Sequence, residues 1–159
     1  MQELPIIKIR KGKIKRGEKI WKKREAIKTI EEICREYNGV YIIDLDGYRK
    51  NSANIDVYKR IKADIWVDSF PRYVEDVMDL IIVGINRITI RNMKEEYLKE
   101  ISEICEKEIF ISEKNVNEAI KKVKKYDFAG IVLEEMQNSK ENVETWKIYM
   151  NEEIIRRIR

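Results

Sequence analysis

Residues 40–47 read Val-Tyr-Ile-Ile-Asp-Leu-Asp-Gly, a continuous apolar run that ends in two acidic residues and a glycine. An apolar run without alternation is typical of a strand buried on both faces, as in a parallel sheet. Upstream, apolar residues recur every three or four positions over residues 21–37, and Asn38 and Gly39 then interrupt the pattern. This stretch predicts an amphipathic helix that leads directly into a buried strand at residues 40–43.

The alternation of helices and strands continues along the chain. Further strands are predicted at residues 4–10, 65–67, 87–91, 109–111 and 129–133, with a short return strand at 13–16, and further helices at residues 54–61, 74–83, 93–105 and 116–123. In the tail, apolar residues from Val143 to Ile158 recur at steps of three or four and predict a final helix. This order predicts an α/β protein with a parallel sheet, built as one domain over residues 1–159.

The composition excludes several classes of function. The chain of 159 residues contains 43% hydrophobic residues, enough for a core, and no histidine, which removes every site that needs an imidazole. No apolar run approaches the roughly 20 residues of a membrane span, and the first residues do not resemble a signal peptide. We therefore expect a soluble cytoplasmic protein with no membrane partner, whose Cys34 and Cys105 are buried free thiols.

Charge is distributed unevenly, although the formal net charge is only +4. Residues 8–24 contain ten basic residues, and only Glu3 and Glu18 oppose them in the first 24 residues. Such a segment indicates either a surface that faces phosphate groups or nucleic acid, or a solvated strand and loop face. Trp21 and Tyr48 are candidates for base stacking, but aromatic residues do not alternate with the cations. We therefore do not expect nucleic acid to be the partner.

Several stretches resemble the HisA/HisF family, the sugar-phosphate TIM-barrel enzymes of histidine biosynthesis. Residues 5–14 resemble the family's opening strand and return hairpin, residues 41–47 its second strand, residues 66–72 its third strand and turn, and residues 87–90 its fourth strand. The resemblance implies a TIM-barrel-like (β/α) repeat, of which this chain supplies about six strands and a tail helix. An incomplete barrel leaves strand edges unpaired, so we expect a homo-oligomer or the tail helix to cover them.

The chain departs from the family's catalytic pattern. The isomerase of that family uses one aspartate at the end of strand one and another at the end of strand five, where this chain has Lys8 and Ser112 followed by Glu113. An ammonium group does not replace a carboxylate as general base, so the histidine-pathway isomerisation is not expected. The candidate catalytic residues are Lys8, Asp44 and Glu113.

Lys8 and Asp44 lie at matching positions of neighbouring predicted strands, so we expect them to share the barrel interior about 5 Å apart. One interpretation makes Lys8 a nucleophile that forms a Schiff base with a carbonyl substrate. The other makes it a charge-paired core lysine. Both interpretations stay open at this point.

Two arginines are candidates for phosphate binding. The family's third-strand turn is rich in glycine, but here it reads Ser69-Phe70-Pro71, and the glycine expected after strand four is replaced by Arg91. Arg72 and Arg91 therefore stand where the family holds phosphate, and guanidinium groups bind that anion through paired hydrogen bonds. The alternative is two solvated arginines at strand ends.

Together these features predict binding of, or chemistry on, a small phosphorylated metabolite; as an enzyme the protein would be an isomerase or lyase of phosphorylated carbonyl compounds. The alternatives are a non-catalytic scaffold or regulatory protein that acts through oligomerisation or a protein partner, and nucleic-acid binding through the basic N-terminal segment. No cofactor and no metal are expected. Five carboxylates at predicted strand ends offer oxygen ligands, but we expect them to pair with basic side chains instead: Asp44, Asp46, Asp68, Glu113 and Glu134.

Overall fold

The structure, a computed structural model, describes residues 2–159. The strands are β1 (Glu3–Arg10), β2 (Lys13–Arg16), β3 (Lys19–Trp21), β4 (Val40–Asp44), β5 (Ile65–Asp68), β6 (Arg87–Arg91), β7 (Glu108–Ser112), β8 (Gly130–Leu133), β9 (Glu144–Tyr149) and β10 (Ile154–Arg157). The helices are α1 (Lys23–Tyr37), α2 (Leu45–Lys50), α3 (Ile55–Tyr58), α4 (Val74–Ile82), α5 (Glu95–Ile104) and α6 (Val116–Tyr126).

Eight of the strands form a closed barrel of mixed direction. Around the ring the order is β1, β4, β5, β6, β7, β8, β9 and β10, and β10 pairs again with β1. Neighbours are parallel from β1 to β9, whereas β10 runs antiparallel to both β9 and β1. Strands β2 and β3 lie outside the ring as a hairpin that extends from the second half of β1.

The predicted TIM-barrel-like repeat, incomplete at about six strands, is wrong. The barrel is closed and has eight strands, and the regular alternation fails at three places. A hairpin follows β1, no helix separates β8 from β9, and β9 and β10 form an antiparallel pair. The architecture is a mixed barrel in which strands dominate.

The predicted tail helix is also wrong, because residues 144–157 form β9 and β10. Apolar spacing of three and four residues fits Trp146 and Met150, but Trp146, Ile148 and Met150 also alternate with period two. Six of the ten residues in β9 and β10 are aromatic or β-branched and favour strand conformation. The strand pattern prevails because Trp146, Ile148 and Ile155 all pack inside the barrel.

Side chains from the strands fill two separate cores. Inside the barrel, the ring centroid of Trp66 lies 5.0 Å from that of Tyr41, 4.4 Å from Phe110 and 5.2 Å from Trp146. A larger core lies between the outer face of the strands and the helices, and includes Ile9. Because large aromatic side chains fill the interior, a ligand site has to lie at the end of the barrel or on its outer surface.

The open edge that motivated an oligomer does not exist, because β10 occupies the place between β9 and β1. Oligomerisation itself stays a prediction.

The two cysteines are free thiols, Cys34 buried and Cys105 half-buried. None of the helices in residues 2–159 combines the length and apolar character that crossing a membrane requires.

Candidate anion-binding site

One face of the β1–β2 ladder carries only cations. Lys8 is the direct partner of Lys15, and Arg10 is the direct partner of Lys13. Side chains of directly paired residues project from the same face of a sheet, and residues two apart on one strand share that face. Ile9 projects from the other face into the core beneath the helices. Two like-charged pairs therefore stand side by side on the β1–β2 hairpin.

These cations surround a cavity of about 420 Å³. Its lining contains five basic residues and no carboxylate: Lys8, Arg10, Lys11, Lys13, Ile14, Lys15, Ile20 and Leu45. Within residues 2–159, none of the five basic side chains makes an ion pair or a hydrogen bond with another residue. Ile20 leaves 56% of its surface exposed beside these cations. The cavity is thus strongly cationic, with an apolar wall.

The turn between β1 and β2 fixes this arrangement. Lys11 and Gly12 form a two-residue connection in which both residues have positive φ, 49° and 75°. This is the conformation of the tight hairpin turn whose twist matches that of its strands, and glycine adopts it without steric cost. Because loop length sets strand register, the turn determines that Arg10 faces Lys13.

The side chains of Asp46 and Asn54 hold the turn in place. The Lys11 amide donates to Asp46 Oδ2 at 2.6 Å, and the Gly12 amide donates to Asn54 Oδ1 at 2.9 Å. The Asn54 side-chain amide in turn donates to Asp44 Oδ1 and Asp46 Oδ2, both at 2.9 Å. Burial opposes ionisation of Asp46, but the hydrogen bonds from Lys11 and Asn54 outweigh it and lower the pKa of this carboxyl. The Asp-Leu-Asp-Gly motif therefore positions the basic hairpin.

Asp44 is fully occupied by structural hydrogen bonds. Its Oδ1 caps α2 by accepting from the Asp46 and Gly47 amides at 3.1 and 3.0 Å. Its Oδ2 accepts from the Asn54 amide at 2.7 Å and from the Tyr58 hydroxyl at 2.5 Å. These bonds satisfy a carboxylate that has no exposed surface.

The structure does not bring Lys8 and Asp44 together. In the β1–β4 register, Lys8 is paired with Ile43, and Asp44 is paired with Ile9. Lys8 therefore continues the inner face of the barrel, whereas Asp44 lies on the outer face with Ile9. The expectation of a shared barrel interior fails because the two residues are offset by one position, which reverses the face.

The two arginines predicted to bind phosphate donate to protein acceptors. Arg91 contacts Asp68 Oδ2 through Nη2 at 2.9 Å and Glu134 Oε1 through Nη1 at 2.7 Å. Arg72 donates to the carbonyl oxygens of Gly47 and Tyr48 at 2.9 and 2.7 Å. Both guanidinium groups brace the end of the barrel, and a role in phosphate binding stays a prediction.

Glu113 lies away from Lys8. It follows β7, accepts from the Asn92 amide at 2.7 Å and pairs with Lys122 of α6. The neighbouring residue on the inner face is Ser112, whose hydroxyl accepts from Arg91 at 3.0 Å. The three residues predicted to be catalytic thus occupy three separate environments.

A buried polar network closes the same end of the barrel. Asp68 accepts from the hydroxyls of Tyr41 and Tyr48 at 2.6 and 2.8 Å, in addition to its pair with Arg91. Burial, reinforced by the charge of Asp68, raises the pKa of both tyrosines. Asp68 also helps raise the pKa of Arg91, against the opposing effect of burial. These tyrosines therefore stay protonated and serve as hydrogen-bond donors rather than bases.

Sequence reasoning did not single out Arg10, Lys13 and Lys15 as site residues. Their signal is the period-two spacing of cations on both sides of Gly12, which is typical of a hairpin with one cationic face. Reading the segment only by its total charge conceals this alternation.

No group of three or more Cys, Asp or Glu side chains in residues 2–159 is arranged to hold a metal ion.

Comparison with known proteins adds no assignment. No protein-family model matches the chain, and no curated protein matches it significantly. The resemblance to the HisA/HisF family therefore rests on the sequence motifs and stays a prediction.

Proposed function

We propose that the protein binds a phosphorylated ligand in the cationic cavity of the β1–β2 hairpin. The observation that carries this proposal is the pairing of Lys8 with Lys15 and of Arg10 with Lys13 on one face, in a cavity without a carboxylate. Like charges directly opposite one another destabilise a sheet. A bound anion relieves this repulsion and contributes its binding free energy to stability.

The chemistry of the lining suits a phosphate group. Arg10 offers a planar fork of N–H donors that matches two phosphate oxygens, and the lysines supply point charges around them. Ile20 and Leu45 provide an apolar wall for the rest of the ligand. A volume of about 420 Å³ falls in the range of small-molecule sites. A phosphate monoester, such as a sugar phosphate, is the smallest ligand that uses all of these features.

Binding without isomerisation is the function this geometry supports best. The cavity lining contains no carboxylate that would act as general base, since Asp44 faces the other side of the sheet. A nucleophilic role for Lys8 requires that a carbonyl carbon reaches its Nζ while that amine is unprotonated. That role stays a prediction, which borohydride trapping with a phosphorylated aldehyde and mass spectrometry of the Lys8 peptide test directly.

Thermal shift with ribose 5-phosphate, and with ribose as the unphosphorylated control, tests the binding proposal. At a ligand concentration of about 100 times Kd, binding adds about 2.7 kcal/mol and raises Tm by roughly 5–10 °C. We expect this rise in the wild type and in Lys140→Glu, an exposed lysine that does not line the cavity. The rise should disappear in Lys15→Glu. An equal rise in Lys15→Glu places the site elsewhere, and no rise with any phosphorylated sugar or carbonyl compound overturns the proposal.

A further inference from the structure

A second cationic cavity adjoins the first. Its volume is about 460 Å³, and its lining contains six basic residues and again no carboxylate: Lys11, Gly12, Lys13, Lys22, Lys23, Arg24, Ile27, Val57 and Arg60. Lys11 and Lys13 line both cavities, so the two meet at the β1–β2 turn. The first lies on the face of Lys8 and Lys15, and the second lies on the opposite face, beside the helices that carry Ile27 and Val57. Together they present nine different cations.

The fold itself does not account for this concentration of charge. Within residues 2–159, Lys22, Lys23, Arg24 and Arg60 make no ion pair with any carboxylate. Three of them stand at the start of α1, where the positive end of the helix dipole disfavours cations. Both cavities therefore contain positive charge that no ion pair within residues 2–159 neutralises.

We infer that the two cavities, which lie on opposite faces of the hairpin, form one site around its turn for the phosphate backbone of a nucleic acid. The inference rests on the proposed function and specifies its ligand class. One phosphate monoester carries at most two negative charges, far fewer than nine cations would neutralise. A nucleic acid repeats the phosphate group along its length and fills both cavities at once.

The lining also indicates how the nucleic acid is recognised. No aromatic residue lines either cavity, so the site offers no platform on which bases stack. Lysine and arginine contacts to phosphate position a nucleic acid without reading its sequence. Affinity should therefore depend strongly on salt and only weakly on base sequence.

Fluorescence anisotropy with labelled oligonucleotides tests the inference. The oligonucleotides have about 20 nucleotides, which is longer than the roughly 4–16 nucleotides of common single-strand sites. We expect affinity to fall by about 10³-fold or more between about 50 mM and about 200 mM salt, the loss for six or more phosphate contacts. Two oligonucleotides of scrambled sequence should bind alike. RNA, single-stranded DNA and duplex DNA are compared in parallel. Polyglutamate of similar length is the control for negative charge that lacks phosphate.

Charge reversals divide the site into its two halves. Arg24→Glu and Arg60→Glu alter only the second cavity, Lys15→Glu alters only the first, and Lys140→Glu lies in neither. Each reversal within the site should weaken oligonucleotide binding by at least about 10-fold at low salt. It should also reduce the slope of log affinity against log salt concentration by about 1 or more. Ribose 5-phosphate binding should respond to Lys15→Glu alone.

The possible results separate this inference from the proposed function. If ribose 5-phosphate binds but Arg24→Glu and Arg60→Glu leave oligonucleotide affinity unchanged, the second cavity is no part of the site and the inference is wrong. Equal affinity for polyglutamate also overturns it. If neither ribose 5-phosphate nor any oligonucleotide binds, the proposed function fails together with the inference.

Discussion

Replacing Lys15 with glutamate should stabilise the free protein while it abolishes binding. Lys15 directly faces Lys8 across the β1–β2 ladder, and the two Cβ atoms of such a pair lie about 4.5–5.5 Å apart. A cross-strand pair of opposite charges adds roughly 0.2–1 kcal/mol to the free energy of unfolding, and a pair of like charges lowers it by a similar amount. Exchanging repulsion for attraction should therefore raise the free energy of unfolding by about 1 kcal/mol, which corresponds to a Tm increase of roughly 2–4 °C.

Urea denaturation measures this change, and its salt dependence identifies the cause. Because Lys15 is exposed, the gain should be largest at low salt and should nearly vanish at about 1 M salt, where the Debye length is about 3 Å. Lys140→Glu should change stability by no more than about 0.5 kcal/mol at either salt concentration. A Lys15→Glu protein less stable than the wild type at low salt, or a gain that persists at high salt, would refute the explanation by charge repulsion.

Four further outcomes follow from the hydrogen bonds and from burial. Asp44→Ala should lower the free energy of unfolding by roughly 2–4 kcal/mol in urea titration, because it removes the cap of α2 and leaves the buried Tyr58 hydroxyl without its acceptor. Arg91→Ala should cost about 3–5 kcal/mol by the same assay, because it leaves Asp68 charged and buried. The pKa of Asp46 is lower in the folded than in the unfolded chain. The free energy of unfolding should therefore fall as the pH drops below 3.8, the ordinary pKa of this carboxyl, and the fall should be smaller in Asp46→Asn. Burial raises the pKa of Cys34 to about 11, so in a thiol-reagent assay Cys34 should react only through opened states of the protein, and its rate should reach the rate of opening only at high reagent concentration.

Most individual elements were predictable because their signals are local. The strands at residues 40–43 and 87–91 and the helix at residues 116–123 correspond to β4, β6 and α6 within a few positions. Each is marked by an apolar run, or by apolar spacing that only one conformation buries. The architecture was not predictable in this way. Closure of the barrel depends on β10, a short strand whose pairing with residues Glu3–Pro5 joins opposite ends of the chain.

The candidate site was predicted only in part, because register decides which side chains meet. Lys8 was identified as a site residue, but its expected partner Asp44 projects from the opposite face. The residues at predicted strand ends do not reveal a difference of one residue in register. Such a difference nevertheless moves each side chain from the inner to the outer face of the barrel, or the reverse. The actual neighbours of Lys8 follow from the two-residue turn at Lys11 and Gly12, which places Lys15 opposite it.

The acidic motif and the basic hairpin form one structural unit. Asp46 and Asn54 accept hydrogen bonds from the amides of the turn that both cavities share. Asp44 in turn accepts a hydrogen bond from the Asn54 side chain and holds it in place. The carboxylates of Asp44 and Asp46 lie beneath the turn and accept hydrogen bonds there, so they stabilise the hairpin without lining the first cavity. The hairpin can therefore concentrate like charges on its open face at a tolerable cost. We therefore expect ligand binding at the β1–β2 turn to depend on carboxylates that do not line the first cavity.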